Sequence, residues 1–286
     1  MDNNNNNKFS DEKKAFGDAY MDLMECCYNN LLDYPCETKP TYINLSTMTI
    51  ICKLTQPVDI LSLSDNFKSP NDILCIIKRP KQHKEYDVSK RGKKTKTFFN
   101  QASIHFKTHT QKCVKVFSNG RLHLTGITSI NEASNVCVFI CNLLNSTLGA
   151  ITGSKSVDAY DLKICMINTN FSLNHGIDIL KLKKCLSELN DINCQYTPDT
   201  YPGLKIKCFI TNASVFIFSS GQIVITGVKS LNDIQIIYSK ILCCISSNFH
   251  TVFAKCNINN KKNKKITSIQ FGYPTNIIQP CSLSQN

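Results

Sequence analysis

Phe117 and Phe218 stand 101 residues apart, and each opens the same sixteen-residue phrase: FSNGRLHLTGITSINE at 117–132 and FSSGQIVITGVKSLND at 218–233. Seven of the sixteen positions are identical, and most others exchange like for like. A repeated aromatic of this kind does its chemistry without covalent steps: the ring stacks, inserts and excludes water. Behind each Phe, alternate residues run Asn119, Arg121, His123, Thr125 and Ser220, Gln222, Val224, Thr226. Alternate residues of a strand share a face, so each copy offers a surface of small, polar and aromatic groups. Leu122, Leu124, Ile223 and Ile225 fall on the other face and read as core.

Groups that could run a reaction are scattered. The 13 Asp and Glu of residues 41–286 form no D-x-D or E-x-x-H pattern. The 16 cysteines include the neighbours Cys26-Cys27 and Cys243-Cys244 but no Cys-x-x-Cys, and Cys137 and Cys141 fit a buried helix stripe. His105, His109 and Cys113 have ligand-like spacing but lie in a strand and hairpin region. The expectation is a non-enzyme with no metal and no cofactor. The N-terminus lacks the basic-then-apolar layout of an export signal, so the cysteines read as reduced thiols.

The elements that hold these residues are legible. Each Phe ends an apolar strand, and Gly120 or Gly221 then supplies the positive φ of a tight hairpin. A second strand follows, then Thr-Gly, then a capping box: Ser129 with Glu132, and Ser230 with Asp233. The helices carry apolar stripes, Val136, Phe139, Ile140, Leu143 and Ile234, Ile237, Tyr238, Ile241. Each half thus ends strand–turn–strand–helix. The helix covers the sheet's apolar face, and the uncovered face is the binding surface.

With 42% hydrophobic residues in 286, the chain can bury a real core, and no apolar run is long enough for a membrane span. Residues 1–40 carry 4 Lys/Arg and 8 Asp/Glu, net −4, whereas residues 41–286 carry net +16. A basic body of this kind suits nucleic acid. The divisions expected are an acidic tail at 1–40, a first repeat at 41–150, a second at 151–250 and a polar basic tail at 251–286. A basic insertion near 66–97 reads as a loop within the first repeat.

FSSGQIVITGVKS resembles the F-S-S-G-K-x-V-x-T-G-A-K-S signature of the TATA-box-binding protein family. YTPDTYPGL at 196–204 resembles that family's Y-E-P-E-L-F-P-G-L, and STMTIICKL at 46–54 its S-T-V-N-L-G-C-K-L. The resemblance implies an α+β fold: two pseudo-symmetric repeats form one curved antiparallel saddle sheet with helices on the convex side. It implies a transcription initiation factor that sits on the minor groove of AT-rich promoter DNA and bends it. Implied partners are a TFIIB-like factor and RNA polymerase, in the nucleus or, given an Asn-rich giant-virus or protist character, in a cytoplasmic viral factory. The alternative is a relative with the same fold that serves as a protein-interaction module or accessory DNA-binding domain.

Carried over residue by residue, the intercalating positions are Phe99, Phe117, Tyr201 and Phe218. Phe99 rests on the likeness of FFNQASIHF to F-P-G-x-I-x-R, with Phe98 as an alternative. DNA contacts fall on Leu45, Thr47, His105, Asn119, Arg121, His123, Thr125, Asn168, Lys207, Ser220, Gln222, Val224 and Thr226. The partner loop carries Pro198, Asp199 and Pro202. The family's central Asn falls on Ile43 in the first half, with Asn44 on the wrong parity. In the second it falls on Met166, with Asn168 on the same face. Residues 10–32 form an amphipathic helix with a Phe16, Tyr20, Leu23, Cys27, Leu31 stripe. This acidic segment is open to three readings: an occupant of the DNA face in cis, a helix on the convex side, or a disordered tail.

Overall fold

The structure, a computed structural model, describes residues 10–68, 76–78, 100–108, 110–189, 192–208 and 211–254. Ten strands form one open antiparallel sheet. The first half supplies β1 (Asn44–Leu54), β2 (Ile76–Lys78), β3 (Gln101–Lys107), β4 (Gln111–Phe117) and β5 (Arg121–Ile127). The second supplies β6 (Ala159–Ser172), β8 (Ile192–Gln195), β9 (Leu204–Cys208), β10 (Ser214–Ile217) and β11 (Gln222–Val228). The order β2-β3-β4-β5-β1-β6-β11-β10-β9-β8 runs through five strands and then their counterparts in reverse. The halves therefore meet where β1 pairs with β6.

Alternation along most of the strands makes the sheet two-faced. Ile104, Val114, Val116, Leu122 and Leu124 in the first half, and Ile206, Val215, Ile217, Ile223 and Ile225 in the second, have no solvent exposure. They pack under α3 (Ile130–Ser146) and α5 (Leu231–Ser247), whose buried stripes include Val136, Ile140, Leu143 and Ile234, Ile237, Tyr238, Ile241. Ser129 and Ser230 cap these helices by accepting from the amides of Glu132 and Asp233, each at 3.1 Å. A cap of this type contributes about 1 kcal/mol. Gly120 and Gly221 have φ of 78° and 81°. A Cβ on Gly120 would lie 2.7 Å from the Gln56 carbonyl oxygen, and one on Gly221 would collide with that of His175.

A second internal repeat sits upstream. VDILSL at 58–63 and IDILKL at 177–182 start α2 (Ile60–Asn66) and α4 (Ile179–Ser187). Asp59 accepts from the amides of Leu61 and Ser62, and Asp178 from those of Leu180 and Lys181. These caps are 119 residues apart, while Phe117 and Phe218 are 101 apart, so the first half carries 18 extra residues between α2 and β4. Seventeen of them precede β3, in and around the basic stretch, and one falls in the β3–β4 hairpin. That stretch was expected to be a loop, but Ile76–Lys78 forms the edge strand β2, paired with β3 as β8 pairs with β9. Residues 69–75 and 79–99 lie outside the described residues.

Residues 10–32 form α1 (Ser10–Leu32), and it packs on α5, away from the open face. Leu23 and Cys27 are fully buried, with Phe16, Tyr20 and Leu31 packed beside them. The Asn30 amide donates to Ser239 Oγ at 3.1 Å, and Cys26 Sγ lies 3.1 Å from the same oxygen. Beyond the helix, Tyr34 Oη meets His175 Nε2 at 2.7 Å. Of the three readings of this segment, the structure has the convex-side helix. Of residues 251–286, expected as a tail, Thr251 and Val252 belong to α6 (Phe249–Val252), and residues 255–286 lie outside the described residues. Phe253–Ala254 forms β12, paired with β7 (Gly176–Ile177).

Candidate nucleic-acid interface

Three chemically distinct zones make up the uncovered face. At the outer part of the first half, the Phe117 ring leans on His123, with centroids 4.8 Å apart and planes at 54°. Lys115 is the cross-strand partner of His123, and Ile51 partners it from β1. Burial first, then the Lys115 and Arg121 cations, pushes the His123 pKa below its ordinary value, which favours a neutral imidazole. Thr125 donates to the Cys113 carbonyl at 3.0 Å, and His105 partners Cys113 across β3 and β4. Asn119 lies exposed in the turn and accepts from the Arg121 amide.

In the second half, Phe218 and Tyr201 are neighbours with ring centroids 6.0 Å apart, and Tyr201 meets Phe216 edge-on at 5.5 Å. Gly203 permits this approach: a Cβ there would sit 2.8 Å from the Tyr201 ring and 3.0 Å from that of Phe218. Val224 partners Phe216, Gln222 is exposed, and Lys207 partners Ser214. Ser220 lies in the exposed turn. Pro198, Asp199 and Pro202 stand exposed on the β8–β9 loop, which is tightened by Thr200 and Tyr201 amides donating to the Thr197 carbonyl.

Between these ends lies a polar centre. Thr226 Oγ1 donates to Asn168 Oδ1 at 2.6 Å, and Asn168 Nδ2 donates to Thr47 Oγ1 at 3.1 Å. The amide orientation is thereby fixed, and these bonds use one of the two Asn168 N–H groups. Asn170 Nδ2 similarly reaches Ser46 Oγ at 2.6 Å. Lys53 and Lys163 flank Asp161 at 2.7 and 3.2 Å, and the two ammonium groups hold its carboxyl below the usual range.

Two face assignments change. Leu45 was expected among the contacts, but it partners the fully buried Thr169 and packs against the core. Asn44 was set aside on parity, yet it partners Asn170, which in turn partners Val224 on the open face. The cause is a register shift between Leu45 and Thr47, which breaks strict alternation in β1. Ile43 is buried, and Met166 is half-buried opposite Thr49. Phe216, Asn170 and Thr49 share the face but were missed, although each lies two residues from an assigned position and period-2 counting reaches it. Phe99, Phe98 and His109 lie outside the described residues.

Among the described residues, no group of three or more His, Cys, Asp or Glu is arranged to hold a metal, and no helix is long and apolar enough to cross a membrane. The family description "Transcription factor TFIID (or TATA-binding protein, TBP)" matches residues 161–247. The "TATA-box-binding protein-like" protein of Acanthamoeba polyphaga mimivirus is 30% identical over 226 residues, covering 67% of this chain and 62% of that protein. The TATA-box-binding protein of Methanococcus maripaludis (strain C7) is 26% identical over 127 residues, covering 44% of this chain and 64% of that protein. The chain thus spans a little under two thirds of the length of these relatives. Among solved structures, Methanococcus jannaschii TBP superposes with a TM-score of 0.51 at 20% identity, covering 72% of this chain and 98% of that one. Signature, doubled sheet and relatives agree: the chain is a divergent member of the TATA-box-binding protein family.

Proposed function

We propose that this protein is a transcription initiation factor that seats the open face of its sheet in the minor groove of AT-rich promoter DNA and bends it. The observation that carries this reading is the duplicated wedge: Phe117 backed by His123 in one half, Phe218 backed by Tyr201, which in turn meets Phe216, in the other. Both stand on one face of one sheet, on either side of a polar centre. Aromatic wedges unstack base steps and kink the duplex, a mode for which this family is itself a standard example. The A·T minor groove offers only acceptors, which suits the second N–H of Asn168 and the small Thr47, Thr226 and Val224 side chains. Lys53, Lys115, Arg121, Lys163, Lys205 and Lys207 supply positive charge for the phosphates on either side of the groove.

The exposed loop bearing Pro198, Asp199 and Pro202 lies beside the second wedge and is the proposed docking point for a TFIIB-like factor, and through it for RNA polymerase. The nucleus or a viral factory is the proposed place of action, the mimivirus relative supporting the latter. Inosine·cytosine pairs test the groove, because they look like A·T from the minor groove and like G·C from the major groove. An AT-rich duplex rewritten throughout with I·C should bind as well as the original. Loss of binding on I·C, with retention on A·T, would place the contacts in the major groove and overturn the reading.

A further inference from the structure

The two halves repeat each other in backbone but differ in chemistry at one pair of positions. In the second half, Phe216 on β10 partners Val224 on β11. The same positions 101 residues earlier are Lys115 on β4 and His123 on β5, also cross-strand partners. All four side chains are half-buried on the open face. Phe117 supports the His123 ring from one side at 4.8 Å. Among the described residues, none hydrogen-bonds either nitrogen of that ring. A polar ring held by packing, with its polar atoms unclaimed, is prepared for a partner supplied from outside.

From the minor groove, A·T and T·A show only acceptors, and G·C adds one donor, the guanine N2 amino group. A valine cannot accept that hydrogen bond and leaves the donor desolvated and unpaired. A neutral imidazole has one donor and one acceptor nitrogen. Building on the minor-groove reading above, we propose that His123 is a specificity-determining residue. Its imidazole accepts from the guanine N2 amino group, so the half-site under the first half admits a G·C pair. The half-site under the second half, faced by Phe216 and Val224, does not. The protein thereby acquires a direction on its DNA.

The charge around His123 keeps the acceptor available. Lys115 faces it from β4 and Arg121 from its own strand, while Ile51 from β1 and Phe117 are uncharged. Lys53, two residues beyond Ile51 on β1, partners Arg121, and Lys163 partners Ile51 from β6; both are tied to Asp161. No carboxylate partners the imidazole across either strand pair.

The test walks a single guanine through an A·T site and then places guanines at both of two dyad-related positions. Each duplex has an inosine control that lacks only the N2 amino group. Fluorescence anisotropy gives the affinities of the full chain, of His123→Val and of Val224→His. At one position, the wild type should bind guanine as tightly as inosine, because it can turn to put its first half over the substitution. The doubly substituted duplex should bind roughly tenfold more weakly than its control, since one guanine then faces Val224. His123→Val should lose tolerance of the single guanine by a similar factor, and Val224→His should gain tolerance of the double. Should a variant fail to fold, the single-versus-double comparison on the wild type still decides. An equal penalty per guanine in the wild type, single or double, overturns the proposal. Absence of binding to every duplex, the all-A·T one included, overturns the minor-groove reading itself and this proposal with it.

Discussion

Phe218 is half-buried at the mouth of the second hairpin, against Tyr201 and close to Gly203. A ring so placed contributes little to the core, and Phe218→Ala should leave the melting temperature nearly unchanged. Its loss should weaken DNA binding by about a few kcal/mol, the general cost of unstacking a base step that minor-groove wedges, this family's among them, offset. Isothermal titration of both proteins against one AT-rich duplex checks this. The opposite profile belongs to Lys112, whose side chain has no solvent exposure. Its ammonium reaches Glu132 Oε1 at 2.7 Å, Thr110 Oγ1 and the Gly126 carbonyl. The repeat position in the second half is the buried Ala213, so Asp233 has no such partner.

Burial works to raise the Glu132 pKa, but Lys112 and the Thr128 donors outweigh it and hold the carboxyl below its ordinary range. The sign follows: this stabilisation is present at neutral pH and is lost as pH falls through the lowered folded-state value. Glu132→Gln should cost about 2 kcal/mol, less than a fully buried pair because Glu132 keeps some solvent contact. It should also flatten acid denaturation. Urea melts at pH 7 and pH 4 measure both effects. An unchanged midpoint at pH 7 would show that the buried ammonium needs no counter-charge.

Among the elements, α3 and α5 with their capping serines and the two glycine hairpins could be read from one repeated phrase. The α1 stripe could be read from spacing alone, and Leu23 and Cys27 are fully buried as its periodicity requires. Periodicity does not say which surface a stripe meets. The α1 stripe meets α5, and Cys26, Asn30 and Tyr34 add polar contacts to Ser239 and His175. A chain starting at Pro40 should therefore melt several degrees lower and bind DNA no more tightly than the full chain. Leu23→Ala alone should cost about 2–4 kcal/mol. Several-fold tighter DNA binding by the shortened chain would mean that the helix also visits the open face. Two features escaped the sequence for physical reasons. A single register shift in β1 exchanges the faces of Asn44 and Leu45, and the VDILSL/IDILKL repeat was hidden by the 18 residues that shift its spacing.

For the molecule as a whole, net charge of +16 on residues 41–286 predicts strongly salt-dependent DNA binding. If about six phosphates are neutralised, log K against log salt should fall with a slope near −5. A slope shallower than about −2 would turn the basic body away from DNA. The central claim concerns shape, because two wedges on one face act only by deforming what lies between them. A donor and an acceptor dye at the ends of a short AT-rich duplex report that deformation directly by fluorescence transfer. At saturating protein, the end-to-end distance should shorten, and the change should be lost when Phe117 and Phe218 are both replaced by alanine. Saturated binding with an unchanged distance would contradict the account.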